Sequence, residues 1–450
     1  MSVLDDSAAS ARRAARGALH WLDACVPPAS AESLAVFRVV FGAVLIAYFT
    51  EMSISPAWVG LASPESAFHR LALPAFAAAP VVVEWIRPWI IGWTIVFMAG
   101  AMARTSFAMM TAGALAWGLL YTMRVGAHSV QILLVTMLCL LWSRWGDAWS
   151  VDAWLRTRAR SADAREYGYP MWVPGLVLGT SLAAAAFAKV WGGGIGWITN
   201  GTVKYHFLTD SPQAPVDWGL WIAQYHGLAV LVSFGAVAVE ALVIVGACST
   251  RYRYRVAAGV ATLALLVGFK LFQGLFWPAW YIALLSFLPW HLIRPASPAS
   301  APSAGATHAS PLRWAQTAVV LVLLGQQAVA SALNEEASPL MSAYDMYSTT
   351  YASPADYDAK SGLTYWVVAD FPDGTRDECK VGREDAEAVA ARQTESTRVT
   401  EVIEDCFDPR SPIRSLSAEA RKPSVDWERW RFGPDVKVPL GGPASPESSR

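Results

Sequence analysis

The stretch LAVFRVVFGAVLIAYFT, from Leu34 to Thr50, decides the fold class of this protein. It contains one charged residue, Arg38, and is nearly long enough to cross a bilayer, which takes about 20 mostly apolar residues. Eight further apolar runs follow along the chain: Pro88–Ala103, Ser106–Met123, Ser129–Trp142, Met171–Val190, Gly219–Gly246, Ala257–Gln273, Leu275–Leu292 and Trp314–Leu333. The fourth and eighth of the nine runs are short, so the count is open by one. We therefore expect an all-α polytopic membrane bundle of about nine transmembrane helices.

Composition supports this expectation. The chain is 54% hydrophobic and 16% charged, whereas an ordinary soluble domain carries about 25% charged residues. Tryptophans such as Trp85, Trp142 and Trp290 stand near the ends of apolar runs, where amphipathic rings prefer the bilayer interface. We expect the lipid bilayer as a partner and no nucleic acid.

The distribution of Lys and Arg predicts the orientation, because cytoplasmic loops are enriched in these residues. With the N-terminus inside, the inner loops receive Arg104, the basic Arg144–Arg165 loop and the arginines around Arg253. The first thirty residues have no apolar core and do not resemble a cleavable signal peptide. We expect a multi-pass protein of the cell membrane with a cytoplasmic N-terminus and an extracytoplasmic tail.

These observations divide the chain into five segments. They are a cytoplasmic N-terminal segment (1–32), a transmembrane domain (33–292), a cytoplasmic linker rich in Ala, Ser and Pro (293–312), a last transmembrane helix (313–333) and an extracytoplasmic tail (334–450). In the tail, Thr364–Ala369 and Thr397–Ile403 are predicted strands and Glu384–Arg392 is a predicted short helix. The tail is therefore expected to form a small α+β appendage.

The tail contains two cysteines, Cys379 and Cys406. A pair of cysteines in an oxidising compartment favours a disulfide, and an extracytoplasmic tail is in such a compartment. The alternative is two unrelated thiols.

Several ionisable residues lie within the apolar runs, where burial of a charge is costly and each one is a candidate functional group. Arg38 is expected to pair with an acid of the Trp145–Asp152 loop, such as Asp152, in preference to a ligand role. Glu240 and Lys270 occupy neighbouring runs, but counting residues places them about 10 Å apart in height at 1.5 Å per residue. A direct pair between these two is therefore not expected.

Lys189 and His128 are the residues with the clearest potential for chemistry. Both are expected at the outer face, His128 at the mouth of the fourth run and Lys189 at the end of the fifth. A lysine beside apolar surface can serve as a neutral base, and a histidine nearby could orient it. The structural alternative is that Lys189 extends to the headgroups and His128 caps a helix. The sequence contains no P-loop, CxxC or zinc motif, so no metal is indicated.

Short segments, taken in order, resemble the vitamin K-dependent γ-carboxylase and its bacterial relatives, the HTTM (horizontally transferred transmembrane) proteins. They are Ser33-Leu34-Ala35-Val36-Phe37-Arg38 with Phe41-Gly42, then His128-Ser129 with Trp149-Ser150-Val151-Asp152, then Ala188-Lys189 with Trp197 and Gly201, and finally Asp345-Met346-Tyr347-Ser348. The resemblance covers roughly Ser33 to Trp290.

This resemblance implies a quinol-dependent, carboxylase-like enzyme of the lyase or oxidoreductase type that modifies an outer-face substrate. Lys189 would be the base that deprotonates a reduced membrane quinone, menaquinol or a vitamin K-like quinol, and His128 would assist it. The chain departs from the family where Ala188 precedes Lys189 in place of a second lysine, and its tail is smaller than the carboxylase's lumenal region.

Two other functions stay open on the sequence. One is a non-catalytic membrane factor for the maturation or secretion of an exported peptide or protein. The other is a transporter, suggested by the charges at Arg38, Glu240 and Lys270, although the sequence contains no repeat that would support it.

Overall fold

The computed structural model describes residues 17, 21–52, 80–122, 130–155, 163–293, 311–333, 340, 347–360, 364–381, 383–391, 399, 402–403, 406–407, 413–422 and 424–438. The chain forms two compact units. The first contains Met1–Ile195, Phe234–Lys270 and Leu275–Thr349, and the second contains Gly196–Ser233, Leu271–Gly274 and Thr350–Arg450.

Nine helices account for the predicted apolar runs. They are α1 (Ala31–Glu51), α2 (Pro80–Ala99), α3 (Ala103–Thr122), α4 (Gln131–Cys139), α5 (Ala164–Gly193), α6 (His226–Cys248), α7 (Tyr252–Gln273), α8 (Pro278–Ala283) and α9 (Pro311–Leu333). Among the described residues, six helices are long and apolar enough to cross a membrane: α1, α2, α5, α6, α7 and α9. The protein is therefore a mostly helical bundle built for a membrane.

The other three helices do not meet this standard. α3 has 20 residues but is less apolar, with Arg104, Ser106 and Thr111 along it. α4 has 9 residues, which rise about 14 Å, less than half of a hydrocarbon core of about 30 Å. α8 has 6 residues and passes into the 3₁₀ turn Leu284–Phe287. α4 and α8 correspond to the fourth and eighth apolar runs, which the sequence already showed to be short.

Aromatic side chains form the centre of the first unit. The ring of Trp145 stacks on Phe37 of α1 and on Phe107 of α3, with centroids 6.3 and 5.1 Å apart. Phe97 of α2 meets the same indole edge-on at 5.1 Å. All four side chains are buried, so the loop after α4 is anchored into the core between three helices.

α5 is the longest helix, with 30 residues, and it contains Pro170 and Pro174. A proline interrupts the helical hydrogen-bond ladder, and the freed groups need other partners in a membrane. The hydroxyl of Ser286 accepts the hydrogen bond of Gly175 N–H at 2.8 Å. The turn after α8 thereby supplies an acceptor for a backbone amide of α5 next to Pro174.

The second unit combines the tail with the segment that follows α5. Its short helices Val203–Asp210 and Trp218–Ala223 pack with the tail helix Pro354–Lys360 around one aromatic cluster. The ring of Tyr205 lies at the centre of this cluster, 5.6 Å from Tyr357 and 5.4 Å from Trp430. Burial raises the pKa of Tyr205 to about 12, so its phenol stays neutral at physiological pH.

The tail also contains a four-stranded antiparallel sheet. Its strands are β1 (Thr364–Asp370), β2 (Arg376–Val381), β3 (Ser415–Lys422) and β6 (Val436–Val438), in the order β2-β1-β3-β6, and β4 (Val425–Asp426) pairs with β5 (Arg431–Phe432) as a separate ribbon. The helix Arg383–Ala390 follows β2.

The tail confirms one predicted strand and corrects the other. The strand predicted over Thr364–Ala369 is β1. The strand predicted over Thr397–Ile403 is wrong for its described residues, since Val399, Val402 and Ile403 are helical. Their side chains belong to the small core under the sheet, with Val367 and Phe407, and β-branched residues fit such a core in a helix as well as in a strand.

Candidate functional site

Lys189 lies in the last turns of α5. The preceding residues Ala183–Ala186 and Ala188 are small, which leaves room for a long side chain beside the helix. α5 ends shortly afterwards at Gly193, where Gly194 adopts a φ of +58° and donates its N–H to the carbonyl of Val190. Lys189 is only 4% exposed, so its side chain points into the protein and the headgroup position considered from the sequence is wrong.

The partner of Lys189 is Glu240 of α6. The Lys189 Nζ lies 3.0 Å from Oε1 and 2.9 Å from Oε2 of Glu240. The carboxylate is 2% exposed, so the described structure contains a fully buried ion pair that joins two membrane-spanning helices. A charge in such surroundings requires a counter-charge and hydrogen bonds, because water is excluded.

Two further contacts between α5 and α6 position this pair. The Trp172 Nε1 donates to the carbonyl of Ala247 at 3.1 Å. At Gly179 the helices approach so closely that an added Cβ would lie 2.8 Å from the Cα of Ile244. Glycine at this position therefore permits the approach of the two backbones, which a larger residue would prevent.

The sequence did not indicate that Glu240 is the partner of Lys189. The other cation considered for Glu240 was Lys270, whose Nζ instead lies 4.2 Å above the ring of Phe276. Trp172 and Lys189 are 17 positions apart on α5, whereas their partners on α6, Ala247 and Glu240, are only 7 positions apart. The helices therefore cross at an angle, and depths counted as if both stood upright place the two charges too far apart.

A signal for the pair was nevertheless present in the sequence. Lys189 and Glu240 are opposite charges in consecutive long apolar runs, and buried charges in membranes are usually neutralised by one another. His128, the other predicted catalytic residue, lies outside the described residues. The expectation that it adjoins Lys189 stays a prediction.

Arg38 corrects one prediction in detail. Its side chain reaches the Trp145–Asp152 loop as expected, but it binds backbone carbonyls there and forms no ion pair with an acid among the described residues. Nη1 donates to the carbonyls of Trp145 and of Ala148, the latter at 3.3 Å, and Nη2 donates to that of Trp149 at 2.6 Å. Buried carbonyls of an irregular loop need donors, and a guanidinium supplies several from one fixed plane.

Asp152, the acid expected to pair with Arg38, has a different role. Its carboxylate accepts the N–H groups of Met102 and Ala103 at 2.9 and 2.8 Å. These belong to the first backbone amides of α3, which have no partner within the helix, and a carboxylate is a favourable cap there. Arg38 and Asp152 are both structural residues that hold the same loop against α1 and α3.

Cys379 and Cys406 are joined by a disulfide in the structure. The bond links β2 to Cys406, a helical residue in the segment between β2 and β3. Among the described residues, the remaining three cysteines, Cys25, Cys139 and Cys248, are free thiols.

Comparison of the chain with protein-family models, with curated proteins and with solved structures gives no match. Its function is therefore inferred from the geometry of the Lys189–Glu240 pair.

Proposed function

We propose that this chain is a multi-pass membrane enzyme of the HTTM family that oxidises a reduced membrane quinone and thereby modifies a substrate at the outer face. In this proposal the Lys189–Glu240 pair accepts the quinol proton. The observation that supports it is the pair itself, an ammonium and a carboxylate held at 2.9 Å within two spanning helices and away from solvent. Ionisable groups at such positions mark functional sites by default.

The chemistry of the pair suits a proton acceptor. A direct transfer of the proton from Nζ to the carboxylate is possible at their separation of 2.9 Å. It leaves a neutral amine on Lys189 and a neutral carboxyl on Glu240. The free amine can then take a proton from a weak acid such as a quinol hydroxyl, and the lysine returns to its ammonium form.

A quinol suits the Lys189–Glu240 site because its deprotonation needs a base and its ring needs an apolar environment. The alanines before Lys189 and the close α5–α6 approach supply apolar, water-poor surroundings. When bound, a reduced naphthoquinone would supply the electrons for reaction with oxygen. Lys189 would hold the proton at Nζ, Glu240 would set the charge of the lysine, and His128 would assist from the outer mouth of the fourth helix.

We place the N-terminus of the chain in the cytoplasm and the tail outside, with nine crossings of the cell membrane. The Lys and Arg distribution supports this orientation, and the Cys379–Cys406 disulfide supports an oxidising location for the tail. α4 and α8 would complete their crossings with the irregular segments beside them, which is tolerated where the bundle covers the backbone.

The test separates a proton acceptor from a structural ion pair. Arginine keeps the positive charge and the carboxylate partner but does not release its proton. We expect Lys189→Arg to remain folded and to lose at least about 100-fold of quinol oxidation, since general-base catalysis contributes a factor of about 10² to 10⁴. The assay would follow oxidation of a reduced naphthoquinone by the purified protein under oxygen.

A matched control exists in α7. Lys270→Arg makes the same substitution at a cation in another span, one that contacts the ring of Phe276, and should change the rate less than about twofold. If Lys189→Arg oxidises the quinol as fast as the unaltered protein, Lys189 is a structural residue and the enzymatic proposal fails.

A non-catalytic factor for an exported peptide or protein is the second candidate. It is favoured by the second unit, in which a disulfide-linked sheet and the segment after α5 form one folded module. For this function, deletion of the tail should abolish activity in cells while alanine at Lys189 and His128 is tolerated. If the chain is a quinol-oxidising enzyme, alanine at Lys189 should abolish its activity.

A further inference from the structure

A cavity of about 400 Å³ lies in the first unit, away from the Lys189–Glu240 pair. Its walls include Pro27 before α1, Met171 of α5, Arg255 of α7, and Phe287 and Trp290 after α8. α1, α5 and α7 contribute the segments at or near which they begin, and α8 contributes the segment after its end. The cavity therefore opens at one end of the spans, where the headgroups of a bilayer lie.

Arg255 supplies the charge of this cavity and is only 8% exposed. Its Nε donates to the carbonyl of Ser249 at 2.8 Å, and its Nη2 donates to those of Cys25 and Ala247, each at 2.8 Å. Among the described residues, Nη1 has no hydrogen-bond partner and no carboxylate lies within ion-pair distance of this guanidinium. Three carbonyls fix the orientation of the group but leave its positive charge without a counter-charge.

Other polar groups line the cavity around Arg255. The rings of Tyr252 and His291 meet edge-on, with centroids 4.6 Å apart, and both residues line the cavity. Thr250 contributes a hydroxyl at the exposed rim. The N-termini of α1 and α7 add positive potential, because unpaired amides and the helix dipole favour anions there. The polar side chains thus lie around the Arg255 guanidinium, and apolar side chains form the rest of the cavity wall.

We propose that this cavity binds the phosphate group of an anionic amphiphile, with Arg255 as the anchor. The free Nη1 takes a phosphate oxygen, Tyr252, His291 and Thr250 supply further hydrogen bonds, and Met171, Phe287 and Trp290 cover the adjoining carbon chain. Basic pockets between spanning helices are a known mode of lipid headgroup recognition. An anionic membrane lipid is such an amphiphile, and the experiment distinguishes it from inorganic phosphate in solution.

Binding is measured with the full-length protein in a neutral detergent. The probes are a short-chain phosphatidylglycerol, a phosphatidylcholine with the same chains, and inorganic phosphate. We expect the phosphatidylglycerol to bind at least about tenfold more tightly than the phosphatidylcholine, because the choline ammonium makes the latter net neutral and would bring a second cation close to Arg255. Displacement of the bound lipid by millimolar inorganic phosphate would indicate a soluble phosphate ligand, and its failure would indicate a lipid.

Arg255→Gln should weaken phosphatidylglycerol binding at least about tenfold. Arg253→Gln is the matched control, since Arg253 is an exposed arginine of the same segment that does not line the cavity, and it should change the affinity less than about twofold. Thr250→Trp fills the rim without touching the hydrogen bonds of Arg255, and should block binding as well, with Thr250→Ala as its size control. Equal losses in the Arg255 and Arg253 variants, or unchanged binding in Thr250→Trp, would overturn the proposal.

Discussion

Arg38 and Lys189 are both cations on membrane-spanning helices, with exposed fractions of 0% and 4%, yet the protein satisfies them differently. Arg38 gives its hydrogen bonds to three backbone carbonyls, which cannot change their protonation. Lys189 gives its hydrogen bonds to the carboxylate of Glu240, which can. The first arrangement fixes a loop, whereas the second places a proton donor directly beside an acceptor.

The largest expected effect is at Arg38. Replacement by Met would leave the carbonyls of Trp145, Ala148 and Trp149 buried without this donor. Each such loss costs about 1 to 3 kcal/mol, so we expect the free energy of unfolding in detergent to fall by on the order of 5 kcal/mol. Lysine should restore less than half of this loss, because one compact ammonium cannot reach carbonyls at both ends of the loop.

Arg87→Met is the control for this prediction. The Arg87 side chain also donates to a carbonyl, that of Thr50 at 2.6 Å, but at an exposed position, and its removal should cost less than about 1 kcal/mol. Similar losses for the two arginines would show that burial does not distinguish them.

The second prediction concerns Glu240. Glu240→Leu removes the carboxylate that neutralises the buried Lys189 ammonium, and we expect a loss of about 4 kcal/mol in unfolding free energy. The double variant Lys189→Met with Glu240→Leu removes both charges and should return to within about 1 kcal/mol of the unaltered protein. No single partner substitution can rescue Arg38 in this way, because its acceptors are backbone atoms. A double variant as unstable as the single one would remove the distinction between the two sites.

The smallest effect is expected in the tail, where ion pairs are partly exposed. Glu378 accepts a hydrogen bond from Arg421 at 2.7 Å, which lowers the pKa of Glu378. Burial disfavours the ionised form of Glu419, yet hydrogen bonds from Lys437 and Arg421 leave the pKa of that carboxyl below its usual value.

These directions predict how the tail depends on pH. A carboxyl whose pKa is lowered by folding stabilises the fold above its unfolded pKa of about 4.3, and that stabilisation is lost as the pH falls through the folded value. Between about pH 5 and pH 3 we expect a loss of about 0.5 kcal/mol for each carboxyl, since solvent screens both. Amide hydrogen exchange of β1 and β3 would measure it, and Glu419→Gln should flatten the dependence.

The sequence was a good guide wherever a local property sufficed. The nine apolar runs correspond to α1–α9, of which six are long and apolar enough to cross a membrane, and both ends of β1 were predicted to within one residue. It was less informative where one pattern suits two structures, as at Val399 and Val402, which were predicted as a strand and are helical. It predicted the loop that receives Arg38 but not the acceptors, because backbone carbonyls have no sequence signature.

By itself, therefore, the sequence determined that the chain enters a membrane, which of its charges would have to be buried there, and which two cysteines could form a bridge in the tail. Hydropathy and composition are properties of consecutive residues, and they survive in any arrangement of the helices. Only the tertiary structure decided that Glu240 is the partner of Lys189. That choice depends on the angle at which α5 and α6 cross and on the close approach at Gly179, both of which are set by packing between residues far apart in the chain.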